Sequence, residues 1–148
     1  MAIVDPNKLN VGQALGNSDA KVFKEFDLIP VMEGSVEGIA QVTLFVENFT
    51  CRCPITNQPD QATVKITYNP NKFYLETKSL KLYIESFRER GIFHEHLTHV
   101  VTEDVRKALN PQYIRVTTNF SSRGGISVET TEDWIEEASN HERFTHND

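Results

Sequence analysis

The chain has 148 residues, a formal charge of −6 and 39% hydrophobic residues, enough for one packed domain and too little for two. No apolar run approaches a membrane span, and the acidic balance argues against gripping a nucleic-acid backbone, so neither membrane nor direct nucleic-acid contact is expected. The start, MAIVDPNKLN, lacks the layout of a signal peptide, and two cysteines two residues apart are a poor disulfide framework, so free thiols and a cytoplasmic setting are expected.

Residues 1–38 carry turn formers and little periodicity and read as an N-terminal arm, with residues 39–148 as a single domain. From Ala40 the residues Ala40, Val42, Leu44 and Val46 alternate with Gln41, Thr43 and Glu47, the pattern of a half-buried strand. Residues 62–68 repeat it, with Val64, Ile66 and Tyr68 on one face and Thr63, Lys65 and Thr67 on the other. After Pro70 the period changes. Leu80, Tyr83, Ile84 and Phe87 form one stripe of a helix ended by Gly91, and Leu97, Val100, Val101, Val105, Ala108 and Leu109 form the stripe of a second, stopped by Asn110-Pro111. Residues 113–120 and 126–130 read as strands around the turn SSRGG, and residues 134–139 as a short helix. Glu129, Glu132, Asp133, Glu136, Glu137, Glu142 and Asp148 all follow residue 128, with Arg143 the only Lys or Arg there, so the C-terminal end is expected to be an acidic, solvated helix and tail. The order ββααββ predicts an α+β domain, an antiparallel sheet with both helices on one face, whose free edges call for edge-to-edge assembly into an oligomeric barrel.

Both cysteines lie in FTCRCPITNQPD. Spacing leaves two readings of Cys53: a small buried apolar residue, or a thiolate nucleophile whose pKa has fallen from about 8.5 and whose proton donor is Asp60. A zinc site from Cys51, Cys53 and two of His94, His96 and His99 matches no standard spacing, and a His-Glu-x-x-His motif fails because Thr98 stands where the second histidine belongs. No metal is expected. Glu95 fits either the positive end of a helix dipole or a carboxylate that accepts paired N–H groups from a purine-like edge. Lys78, Lys81 and Arg123 are either solvated charge or holders of a phosphorylated ligand.

Taken together, CPITNQPD, LETKSLKLY, SFRERGIFHEH and SSRGGIS resemble the 7-cyano-7-deazaguanine reductases, the nitrile reductases of queuosine biosynthesis, in their short single-domain form. The resemblance implies the tunnelling fold, with subunits joined into a barrel as a decamer and active sites between neighbours. It implies Cys53 as the nucleophile that forms a covalent thioimidate with the nitrile, Asp60 as proton donor, and Glu95 and His94 as substrate ligands, with His94 assisting proton transfer. Glu76 and Ser79 are carried over as substrate-binding, and Lys78, Ser79, Lys81, Tyr83 and Arg123 as contacts to NADPH. The reaction implied is reduction of 7-cyano-7-deazaguanine to the aminomethyl product with two NADPH. Thr77 stands where the family more often has Ser or Leu, and Cys51 reads as a passive neighbour of the nucleophile. Two alternatives on the same fold are an amidinotransferase-like relative acting on 7-cyano-7-deazaguanine in tRNA, disfavoured by LETKSLKLY and the net charge, and a non-catalytic purine-binding module.

Overall fold

The alternation in the first hairpin carries through to the folded chain. The computed structural model describes residues 2–3, 25–31 and 39–137. In chain order the elements are β1 (Ala2–Ile3), β2 (Asp27–Pro30), β3 (Val42–Arg52), β4 (Pro59–Asn69), β5 (Phe73–Leu75), α1 (Thr77–Glu85), α2 (His94–Leu109), β6 (Tyr113–Arg123) and β7 (Ile126–Ile135). The main sheet is antiparallel in the order β3-β4-β6-β7, and β1-β2-β5 form a smaller one. Ala62, Val64, Ile66 and Tyr68 of β4 and Ile114, Val116 and Phe120 of β6 face the core, where Leu97, Val101, Val105 and Leu109 of α2 cover them. Burial of such side chains contributes on the order of 1.5–3 kcal/mol each.

Helix α2 stops where Asn110 takes a left-handed conformation (φ 45°) and returns its N–H to the carbonyl of Arg106, a role asparagine accepts more readily than most residues. Helix α1 ends at Glu85, ahead of Gly91, while Phe87 of its stripe still reaches the core, 1% exposed. The two sheets are tied together by the Tyr68 hydroxyl, which accepts the N–H of Leu75 at 3.0 Å. Beneath α2 the apolar stripe is interrupted by Thr98, whose hydroxyl meets those of Thr118 (2.6 Å) and Thr130 (2.5 Å), so each buried oxygen has a partner.

Three expectations change. Within the expected arm, Asp27–Pro30 is a strand, with Phe26 and Leu28 buried; residues 4–24 and 32–38 lie outside the described residues. Strand β5 was not foreseen, because three residues are too few to display a period. The expected helix over residues 134–139 is absent where it is described: β7 continues to Ile135, and Val128, Thr130, Glu132 and Trp134 turn inward while Glu129, Thr131, Asp133 and Ile135 turn out. The acids are cross-strand partners, Asp133 of Arg115 (2.6 Å) and Glu129 of Asn119 (3.1 Å), the pairing that stabilises neighbouring strands. Glu132 meets His99 of α2 at 3.0 Å. Residues 138–148, with the rest of the acidic tail, lie outside the described residues. No helix among the described residues is long and apolar enough to cross a membrane.

Candidate active site

Between β3 and β4 the chain folds back on itself. Cys53 donates its N–H to the carbonyl of Gln58 (2.8 Å) and accepts the N–H of Asn57 (2.9 Å), with Asn57 left-handed at φ 59°. The segment after α1 braces this loop: Arg52 exchanges backbone bonds with Arg90 and Ile92, and its guanidinium reaches Glu89 (3.1 Å) and the carbonyl of Asn57 (3.4 Å). Gly91 permits the approach, since a Cβ there would stand 3.2 Å from Cα of Pro54.

Cys51 and Cys53 therefore meet different surroundings. Cys51 is wholly buried at the end of β3, opposite Asp60 of β4, and burial, then the charge of Asp60, pushes its thiol up to about 11. Cys53 lies past the strand in the partly exposed loop. Its thiol is lowered to about 7, first by the Thr56 hydroxyl, then by the backbone N–H groups of Thr56 and Ile55; desolvation opposes them, and Arg123 adds the smallest lowering effect. Hydrogen bonds to the thiolate favour the charged form, and Cys53 is only partly buried.

Asp60 is 6% exposed and held at both oxygens: Oδ1 lies 3.1 Å from Nη1 of Arg123, and Oδ2 lies 3.3 Å from Nε2 of His94. His94 opens α2, and its ring stacks on Phe120 with centroids 3.7 Å apart and planes 10° from parallel, which fixes its orientation. Glu95 follows in the exposed first turn of α2, and its carboxylate makes no hydrogen bond or ion pair to another described residue. The structure thus brings together Cys53, Asp60, His94 and Arg123, residues from three parts of the chain. Thr56, Gln58 and Phe120 complete the cluster without having been singled out from the sequence. The histidines do not join the cysteines as a metal cluster: His94 is turned to Asp60, His99 to Glu132, and no group of three or more potential ligands converges among the described residues.

The residues of LETKSLKLY divide by face. Lys78 and Lys81 are exposed, and Lys81 lines a groove of about 270 Å³ between α1 and β3 together with Leu44, Asn48, Thr77 and Leu80. Glu76, Ser79 and Tyr83 are buried and hydrogen-bonded inside the protein. The Glu76 carboxylate caps α1 by accepting the N–H groups of Lys78 (2.8 Å) and Ser79 (2.7 Å). Ser79 Oγ accepts the N–H of Asp27 at 3.1 Å and donates to the carbonyl of Glu76 at 2.8 Å, pinning β2 to α1. Tyr83 donates to Oδ2 of Asp104 at 2.7 Å, and burial pushes its phenol far up.

Residues 59–139 match the family model of the QueF-like protein. The NADPH-dependent 7-cyano-7-deazaguanine reductase of Frankia casuarinae is 47% identical over 124 residues, spanning 84% of this chain and 96% of that protein. The proteins of the same name from Syntrophus aciditrophicus and Bacteroides thetaiotaomicron are 55% and 51% identical over 59% and 54% of this chain, and the matches span 62% and 53% of their own lengths. The crystal structure of the archaeosine synthase QueF-Like in the apo form superposes with a TM-score of 0.61 at 31% identity, covering 65% of this chain and 94% of that one. The ββααββ order and antiparallel sheet are those of the tunnelling fold.

Proposed function

Since the chain belongs to the QueF-like protein family, we propose that it is an NADPH-dependent 7-cyano-7-deazaguanine reductase, reducing the nitrile to the aminomethyl product in queuosine biosynthesis. The observation that carries this reading is the lowered thiol of Cys53 in the loop that leads into Asp60 of β4, whose carboxylate is itself oriented by His94 and Arg123. A nitrile accepts hydride poorly. Addition of the Cys53 thiolate to its carbon forms an S–C bond and converts C≡N to C=N, and a proton delivered through Asp60 to the nitrogen completes the thioimidate. His94, bonded to Asp60, passes protons to and from that carboxyl group. Glu95, exposed and without a partner among the described residues, accepts the paired N–H groups of the pyrimidine edge.

NADPH, when bound, supplies a hydride for each of the two reduction steps. The residues on α1 fit its anionic groups in a particular way: Glu76 already occupies the N–H groups of Lys78 and Ser79, so the ammonium groups of Lys78 and Lys81, rather than the helix end, hold the phosphates. The archaeosine synthase likeness, at 31% identity, is weaker than the 47–55% to the named reductases, which favours reduction over amidine formation on tRNA.

Both outer strands of the main sheet, β3 and β7, offer a free edge among the described residues, with Phe45, Ile126 and Ile135 exposed. A homo-oligomer joined through these edges, a decamer by family resemblance, working in the cytoplasm without direct nucleic-acid contact, completes the proposal. The test is NADPH oxidation by the purified chain with and without 7-cyano-7-deazaguanine. Two equivalents consumed per nitrile is the expected result. No consumption, with an adduct still formed on Cys53, would transfer the assignment to the amidine-forming chemistry.

A further inference from the structure

We propose that Arg123 is a positioning residue for the nucleophile and its acid, orienting the Asp60 carboxylate and sustaining the Cys53 thiolate, rather than solely a contact to the cofactor phosphates. The geometry comes from the β6–β7 hairpin. Its tip, Gly124-Gly125, has both residues at positive φ (61° and 79°), the conformation that tight hairpin turns require and that glycine takes without cost in Cβ contacts. Just before the tip the pairing slips between Phe120 and Arg123, and such irregularities re-aim side chains beside active sites. Arg123 reaches across to β4, placing Nη1 3.1 Å from Oδ1 of Asp60 and 3.4 Å from Oε1 of Gln58, the residue whose carbonyl holds the Cys53 N–H.

One guanidinium thus spans the acid and the base of the nucleophile loop. With Oδ1 taken by Arg123, Oδ2 is left to His94, so the carboxylate is fixed in plane by two partners from β6 and α2. The charged and titratable groups around Cys53 are Arg52 with Glu89 behind the loop, Cys51 and Asp60 at the ends of β3 and β4, His94 and Glu95 at the head of α2, and Arg123. Of these, Arg123 also contributes directly to lowering the Cys53 thiol. It is 46% exposed, so removing it alters no core packing.

The thiol chemistry stands apart from the assigned reaction; only the consequence for turnover rests on the nitrile reductase reading. The experiment compares the wild type with Arg123→Gln and Arg123→Lys in two assays free of NADPH: alkylation of Cys53 by iodoacetamide as a function of pH, and adduct formation with 7-cyano-7-deazaguanine by mass spectrometry. Arg123→Gln is expected to move the alkylation midpoint up by a few tenths of a pH unit, slowing the reaction at pH 7 by up to about two-fold, a modest effect for a partly exposed cation. Arg123→Lys restores part of it, and adduct formation slows in parallel. An unchanged midpoint and adduct rate, with only the KM for NADPH raised, would overturn the proposal and leave Arg123 as a cofactor contact. A shifted midpoint in a protein that forms no nitrile adduct even as wild type would keep the positioning role and remove the nitrile reductase reading instead.

Discussion

At the end of β3 the chain buries one thiol in the core and, two residues later, presents another in a polar loop. The same side chain is pushed up to about 11 at Cys51 and down to about 7 at Cys53. Burial dominates the first; donors aimed at sulfur dominate the second. The difference lies in where the strand stops: had β3 continued past Arg52, the backbone N–H groups of Ile55 and Thr56 would have entered the ladder with β4 instead of turning toward sulfur. A lowered thiol here is made by ending a strand, and a raised one by remaining in it.

The most severe way to break this contrast is to delete each thiol. Cys53→Ala is expected to abolish adduct formation and to lower turnover by roughly three orders of magnitude or more, as loss of a covalent nucleophile does elsewhere. Cys51→Ala should retain both activities while losing about 1 kcal/mol of stability from the vacated core volume, measured by denaturant unfolding. Equal losses in the two variants would erase the distinction. Next in size is Asp60→Asn, which keeps the shape and removes the proton: a loss of roughly 10²–10⁴ in NADPH oxidation is expected, with the KM for NADPH little changed.

A similar contrast runs along α1. Lys78 and Lys81 point outward while Glu76, Ser79 and Tyr83 point in. Replacing either lysine by alanine should raise the KM for NADPH roughly tenfold, the value of one charge-assisted hydrogen bond, and leave adduct formation on Cys53 unchanged. Tyr83→Phe should instead leave the KM alone and lower stability by about 1 kcal/mol through the unpaired Asp104. A KM effect at Tyr83 in place of a stability effect would assign that residue to the cofactor site.

Much of this was readable before folding. β4 and α2 announced themselves because one face of each is mostly apolar, and Cys53 with Asp60 lay within one short motif. Tyr83 carried two signals, a place in the Leu80-Tyr83-Ile84 stripe and a place in LETKSLKLY, and its burial follows the stripe because burial of a phenol is decided by its helix face. The second half of β7 escaped because Thr130 and Glu132 occupy its inward face, so its period of two is written in polar residues that hydropathy does not register. The bond of Arg123 to Asp60 was hidden for another reason: it depends on β6 lying beside β4, and sequence spacing carries no trace of which strands become neighbours.

The finest test of the two-thiol comparison is Thr56, whose hydroxyl is the largest single influence lowering the Cys53 thiol. Thr56→Val keeps the side-chain shape and the backbone N–H but removes that hydroxyl. Because a lowered thiol pKa means that the reactive anion is fully present above about 7 and lost as pH falls through it, alkylation of the wild type should rise through pH 7 and level off by about pH 8.5. In Thr56→Val the same curve should shift to higher pH, slowing alkylation at pH 7 by a factor of roughly three while the plateau rate is kept, since thiolate nucleophilicity does not fall with a higher pKa. Cys51 should remain silent across the range in both proteins. A Thr56→Val curve superimposable on the wild type would mean that the backbone donors alone hold the thiolate, and that the end of the strand, without help from the loop's side chains, separates the two cysteines.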